Sequence, residues 1–313
     1  MASVGSRDDA PPDHVVPGDA VDVRTPGQRP TGALAVARSL LVATRLHDLV
    51  RQACVRAERL DPSRRAGLRR AAAAPPLGLA CVYRAANAPV VQDLITQLPA
   101  GTPVALWALD RVVPELVTST IGSGPGLRLA LLQRCADAVD LGATGWLVLA
   151  DDDVALPVHG LVDAVRLAAA AGLDLAQPAH SWTSWWNFSF TRRRLGTVAR
   201  SGGMVESGPL VLLGPAARAL ALPLPVELGM GWGVEVTWWR LRAKGIRLGI
   251  VDAVPMRHLA PLSDRYDTTA EQVRLAAAFR AEGLRDWGDL QRDDEVWRPW
   301  RRPPRPAVTA VAR

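Results

Sequence analysis

Three consecutive carboxylates, Asp151, Asp152 and Asp153, close the apolar run GWLVLA, and Pro157 follows shortly after. A carboxylate withdrawn from water is costly unless something neutralises it. Three side by side repel one another and push at least one pKa upward. A divalent cation relieves both problems, and hard oxygen ligands suit Mg2+ or Mn2+. On extended chain, residues i and i+2 point to the same side. Asp151 and Asp153 are therefore expected to face one ion, with Asp152 turned toward another group. A solvated strand end, or an Asp capping the next helix, gives the same three letters. The triplet alone leaves both readings open.

A second group lies at Gly231-Trp232-Gly233-Val234-Glu235. Flanking glycines let the backbone pass close to a ligand. An indole face suits the C–H surface of a sugar. A carboxylate near a helix start is expected to be held ionised by the helix dipole, as a general base requires. Beyond it, His258 ends an apolar stretch, where a neutral imidazole is a competent ligand for Mn2+-like ions. Tyr83 and Arg84 follow a short apolar run, and Asp110 follows another. Stacking on a base and pairing with phosphate are uses that suit Tyr83 and Arg84. The glycines of GSGPG at 122–126 are not followed by Gly-Lys-Ser/Thr, which excludes a P-loop.

The elements that must position these residues alternate. LGLACVYR (77–84), PVALWALD (103–110), GWLVLADDD and LDLAQPA (173–179) read as strands. APVVQDLITQLP (88–99), GLRLALLQRCADAVDLG (126–142) and VHGLVDAVRLAAAAG (158–172) read as helices. The alternation predicts a layered α/β domain with a mainly parallel sheet, whose ligands gather at the carboxyl ends of the strands. Further on, 204–220 reads as strand, turn and helix, 230–245 as a glycine-rich loop entering a helix, and 246–259 as a strand. Thr268 and Glu271 stand at capping-box spacing, predicting a helix start. Four segments are expected: a disordered tail (1–30), a helical extension and linker (31–76), a catalytic domain (77–263), and a C-terminal helix and tail (264–313).

Taken in order, DDD after two strand–helix units, then GWGVE, then a late His, resemble the GT-A glycosyltransferases, including the β-1,4-galactosyltransferase-like enzymes. The resemblance implies a Rossmann-like single α/β domain with a mixed, mainly parallel sheet, here carrying an N-terminal helical extension. It implies transfer of a sugar from a nucleotide-diphosphate donor, favouring a UDP-sugar, to a glycan, lipid or small-molecule hydroxyl, with inversion. Asp151, Asp153 and His258 would hold Mn2+ or Mg2+. Tyr83, Arg84, Asp110, Asp152, Glu206 and Gly208 would bind the donor. Gly231, Trp232, Gly233, Trp185 and Trp186 would meet the acceptor, and Glu235 would be the base. The chain departs from the galactosyltransferase pattern at Val236, where those enzymes carry Asp, and at Met256, which stands two rather than three residues before the His. A catalytically inactive sugar-binding protein is the alternative from another class. A haloacid-dehalogenase-type phosphatase also uses Asp-x-Asp, but normally on an early strand with a Lys and a later acidic pair, whereas here the acids are mid-chain and the single lysine is Lys244.

Composition narrows the rest. The 313 residues carry a net charge of +6, almost wholly from arginine spread along the chain. That spread lacks the concentrated basic stripe of a nucleic-acid-binding surface. Hydrophobic content of 49% suffices for a packed core. Cys54, Cys81 and Cys135 have neither disulfide nor zinc spacing, which fits a reducing compartment. No secretory signal or membrane-spanning run is seen. The expectation is a cytoplasmic protein, with the arginine-bearing amphipathic stretch at 32–60 as a candidate for peripheral contact at the inner membrane face.

Overall fold

The computed structural model describes residues 45–261 and 268–301. The tail expected at 1–30 and the first part of the 32–60 helix lie outside them. Two helices come first, α1 (Arg45–Leu60) and α2 (Ser63–Leu68). Then follow β1 (Leu77–Tyr83), α3 (Ala88–Thr96), β2 (Val104–Ala108), β3 (Thr120–Ser123), α4 (Arg128–Ala138), β4 (Trp146–Ala150), β5 (Val154–Ala155) and α5 (Gly160–Ala170). The second half contains β6 (Leu175–His180), β7 (Ala199–Gly202), β8 (Leu210–Leu213), α6 (Pro215–Ala221), α7 (Val234–Arg240), β9 (Leu248–His258), α8 (Thr268–Ala281) and β10 (Asp293–Trp297).

One sheet runs through the domain in the order β10-β7-β9-β6-β8-β4-β1-β2-β3, with β5 attached to β9. Strands β4, β1, β2 and β3 are mutually parallel, and β9 is parallel to β6. Only β8 and β7 are reversed along that path. Every residue of β1 and β4 is buried. That is why these strands read as unbroken apolar runs: a parallel strand is covered on both faces. Leu79, Val148 and Leu161 lie in the core on one side of the sheet, and Leu132, Leu147 and Trp238 in the core on the other. The carboxyl ends of β1, β2 and β4 all open toward one edge, and the acid triplet follows β4 directly.

Four strands depart from the sequence reading, the two-residue β5 among them. β7 (ARSG) and β10 (DDEVW) have no apolar run to announce them, and β3 is only four residues long. β10 lies in the segment expected to be a peripheral tail, yet it pairs antiparallel with β7 and buries Trp297. Its acids are matched by arginines from other segments: Arg200 and Arg194 reach Asp293, Arg242 reaches Asp294 and Arg247 reaches Glu295. α8 likewise packs inward, Leu275 and Phe279 joining Phe188, Trp232 and Trp287 in a third core cluster. The segment expected as a C-terminal helix and tail thus contributes side chains to the third core cluster. Within 204–220, the strand is confined to Leu210–Leu213, and Met204 to Ser207 form a loop at the site.

Candidate functional site

A cavity of about 820 Å3 opens at the carboxyl ends of β1, β2 and β4. Its lining includes Arg84, Arg128, Asp151, Asp152, Asp153, Glu206, Gly208, Gly231, Trp232, Gly233, Glu235 and His258. Residues far apart in the chain thus meet where the parallel strands end.

The three acids have separate partners. Asp151 Oδ1 accepts the Nε–H of Arg128 at 2.7 Å, and Arg128 Nη2 donates to the Ser207 carbonyl at 2.9 Å. Asp152 is 5% exposed and accepts the Arg84 backbone N–H at 2.6 Å. Burial pushes its carboxyl above the usual range, although the Arg84 N–H and the Asn87 side chain pull the other way. Asp153 Oδ2 lies 3.2 Å from His258 Nε2. Burial alone would lower the His258 pKa. The hydrogen bond to Asp153 and the negative charges of Asp153, Asp151 and Glu206 outweigh burial and raise it.

Asp151 and Asp153, expected to face one ion, both line the cavity, but extended-chain alternation is not what brings them there. The chain is not extended there, because Asp152 and Asp153 form a turn before β5. Alternation of side chains holds only for extended backbone. Asp151 is turned to Arg128, and Asp153 is carried to the end of β9 by pairing of Val154 with His258. Among the described residues, no three His, Cys, Asp or Glu side chains converge as a cage for a metal ion. Asp153 and His258 do converge, as one hard oxygen and one imidazole donor. Mg2+- and Mn2+-like ions in phosphate-binding sites commonly take one or two protein ligands and complete their shell with water and phosphate oxygens. The pair fits such an ion.

Glu235 occupies the first turn of α7 and is 6% exposed. Its Oε1 accepts the Ser207 N–H at 2.9 Å, and its Oε2 accepts the Gly233 N–H at 3.3 Å. The helix start was expected to keep it ionised. Burial wins instead and raises its pKa despite these donors. Gly231 and Gly233 adopt φ of +112° and +97°, which L side chains rarely take. This left-handed backbone turns the chain between Met230 and α7, placing Trp232 and Glu235 in the cavity wall.

Behind the cavity lies a buried polar cluster. Glu206, 3% exposed, is bonded to the Thr191 hydroxyl and lies 3.3 Å from His180 Nε2. His180 Nδ1 is 2.9 Å from Ser184 Oγ, which donates to the Trp185 carbonyl and accepts the His258 N–H at 2.8 Å. Since the Ser184 proton is used on Trp185, His180 must supply the proton on Nδ1. The hydrogen bonds of Ser184 thus tie His180 to the backbone of His258, with Glu206 beside the other nitrogen of the imidazole.

Other expected residues lie elsewhere. Tyr83 is fully buried in β1, and its hydroxyl bonds Thr120 Oγ1 at 3.0 Å, so it does not line the cavity. Asp110 is exposed and caps the turn after β1, accepting the Ala85 N–H at 2.9 Å; that bond and the Arg111 N–H lower its pKa. Trp185 and Trp186 stand in the β6–β7 connection outside the cavity lining, with Trp185 exposed. Lys244 is exposed and absent from the lining as well, so a phosphatase reading lacks its cation. Arg128, His180 and Ser184 were not identified from sequence. An arginine at a helix start has no distinguishing mark in so arginine-rich a chain.

No family model matches the chain, and no curated protein matches its sequence. Solved structures do match in shape. GalNAc-T7 with UDP, GalNAc and Mn2+ has a TM-score of 0.50 at 10% identity, covering 67% of this chain and 50% of that one. S. aureus TarS 1-349 in complex with UDP has a TM-score of 0.40 at 12% identity, covering 64% of each chain. The chain thus spans about half the length of the GalNAc-T7 structure. Sheet order, the cavity at the strand ends and the likeness to GalNAc-T7 together make this a GT-A-like fold: a mixed α/β domain with a mainly parallel central sheet.

Proposed function

We propose that the chain is a glycosyltransferase that moves a sugar from a nucleotide-diphosphate donor, with UDP as the favoured nucleotide, to an acceptor hydroxyl. One observation carries the reading. A single cavity holds a cation and carboxylates at the strand ends, an imidazole–carboxylate pair, and a buried carboxylate beside a glycine-flanked indole. Such a set suits a ligand that is anionic at one end and a sugar at the other. The GalNAc-T7 structure, which contains UDP, GalNAc and Mn2+, is consistent with it.

In this reading the acceptor oxygen bonds to the anomeric carbon, and the bond from that carbon to the diphosphate oxygen breaks. The electron pair leaves with the diphosphate, and the hydroxyl proton passes to Glu235. A carboxylate with a raised pKa is the stronger base. A single displacement of this kind inverts the anomeric centre. Arg128, oriented by Asp151, sets a fixed positive charge near the departing phosphates. Asp153 and His258 would hold the divalent cation, which when bound supplies further neutralisation of diphosphate charge. Asp152 fixes the Arg84 backbone, and Trp232 offers an apolar wall to a sugar ring.

The test is a thermal-shift panel of nucleotide sugars with and without Mn2+, followed by release of nucleotide in the presence of acceptor mixtures. A UDP-sugar is expected to raise the melting temperature with Mn2+, and Asp153→Ala is expected to abolish that increment. If no nucleotide sugar shifts the wild type and Asp153→Ala behaves identically, the reading fails. Binding without any turnover would leave an inactive sugar-nucleotide-binding protein.

A further inference from the structure

The connection between β6 and β7 carries a feature the transfer chemistry does not use. The Arg192 guanidinium lies over the Trp182 ring at 4.8 Å and over the Trp186 ring at 4.9 Å. Two indole contacts of this kind hold a guanidinium in place without using its N–H donors on a carboxylate. The neighbouring arginines are matched to carboxylates, Arg193 to Asp61 and Arg194 to Asp293. Among the described residues no carboxylate pairs with Arg192. It is half-buried; Trp182, in contact with it, is 43% exposed, and Trp185, in the same connection, is 47% exposed.

The stack is anchored rather than loose. Trp182 donates its backbone N–H to Glu58 Oε1 of α1 at 2.8 Å, and Arg192 forms a β-bridge with His180. Trp185 donates its N–H to the His258 carbonyl at 3.2 Å, which fixes the segment to a residue of the cavity wall. Asn187 and Phe188, from the same connection, line the cavity itself. A built cation, held against two indole rings and lacking a carboxylate among the described residues, thus lies in the same β6–β7 connection that supplies Asn187 and Phe188 to the cavity lining.

We propose that Arg192 receives an oxyanion, carboxylate or phosphate, carried by the acceptor, so that the acceptor is an anionic molecule. This rests on the glycosyltransferase reading and adds the acceptor's chemical class to it. A guanidinium edge matches two oxygens of either group, and a preset arginine loses little freedom on binding. The exposed indoles add apolar surface for the body of the same molecule.

Calorimetry on the wild-type chain, with the donor site saturated by UDP and Mn2+, tests this with matched probes. Glucuronate is compared with its methyl ester, and glucose 6-phosphate with glucose. At least one anion is expected to bind about tenfold more tightly than its neutral counterpart, and which one does so separates carboxylate from phosphate. Arg192→Gln is expected to remove the discrimination, and Arg192→Lys to restore part of it. The proposal is overturned if neither anion is preferred by the wild type, or if the preference survives in Arg192→Gln. UDP binding by the wild type is scored separately. Its absence counts against the donor reading, while the anion comparison, repeated without nucleotide, still decides the role of Arg192.

Discussion

Arg128 and Asp151 form a bridge between α4 and the end of β4: the Nε–H of Arg128 meets Asp151 Oδ1 at 2.7 Å, and the same guanidinium reaches the Ser207 carbonyl. One arginine therefore joins the acid triplet to the loop that also bonds Glu235. The first acid of the triplet orients a cation, and the third meets His258. Charge on a bound diphosphate would then be answered from two sides, by a fixed guanidinium and by the Asp153–His258 pair.

The two sides predict different metal dependence. Arg128→Gln is expected to weaken UDP binding by about tenfold or more, with and without Mn2+ alike, since a lost charge-assisted contact does not depend on the ion. Calorimetric titration of UDP in Mn2+ and in EDTA measures this. A loss seen only with Mn2+ would place Arg128 in the metal arm instead.

Asp153→Asn and His258→Ala are expected to do the reverse. UDP affinity in EDTA should match the wild type, and the increment that Mn2+ adds should vanish. Chelation should leave the folded state intact, because both side chains already have protein partners in each other and the sheet does not rest on them. Circular dichroism of the EDTA-treated chain checks that point.

Gly208 offers a steric probe of the same bridge. A Cβ built there would come 2.8 Å from Arg128 Nη2 and 2.8 Å from Asp151 Oδ2. Both contacts are to side-chain ends, so Gly208→Ala should fold while displacing the pair. UDP binding is expected to fall with a change in melting temperature of only a few degrees. Unchanged affinity would show that the orientation of Arg128 is not critical.

Much of this was legible in sequence wherever burial dictated residue type. β1 and β4 are covered on both faces, so their apolar runs declared them, and the acids beyond β4 stood out by contrast. The glycines around Trp232 suggested close approach of backbone to a ligand, and the structure adds that they take left-handed φ. What stayed hidden depended on long-range pairing. β10 reads as solvated acid because its neutralising arginines come from Arg194, Arg200, Arg242 and Arg247, far along the chain. The turn at Asp152 and Asp153 replaces the extended backbone on which simple alternation rests. Tyr83 looked placed for a nucleotide, but its strand points the ring inward. Arg128 was one arginine among many until the fold set it against Asp151.

Glu235 supplies the last prediction, and its sign follows from burial. Its pKa is raised in the folded chain, so the unfolded state binds fewer protons than the folded one between the two pKa values. The stabilising contribution is fully present below the unfolded value and is lost as pH rises through the raised folded value. Glu235→Gln removes that titration. The melting temperature of the wild type minus that of Glu235→Gln should therefore fall as pH rises through this window and level off above it. Taking the difference cancels the other buried acids, Asp152, Asp174 and Asp252, whose pKa values are also raised. Transfer activity should move oppositely, because a base works only when ionised: the acid limb of the wild-type rate profile should lie above the ordinary glutamate range, and Glu235→Gln should lose most turnover while still binding UDP. A rate profile with no acid limb, or full turnover in Glu235→Gln, would remove Glu235 from the role of base and favour a route in which the diphosphate itself accepts the proton.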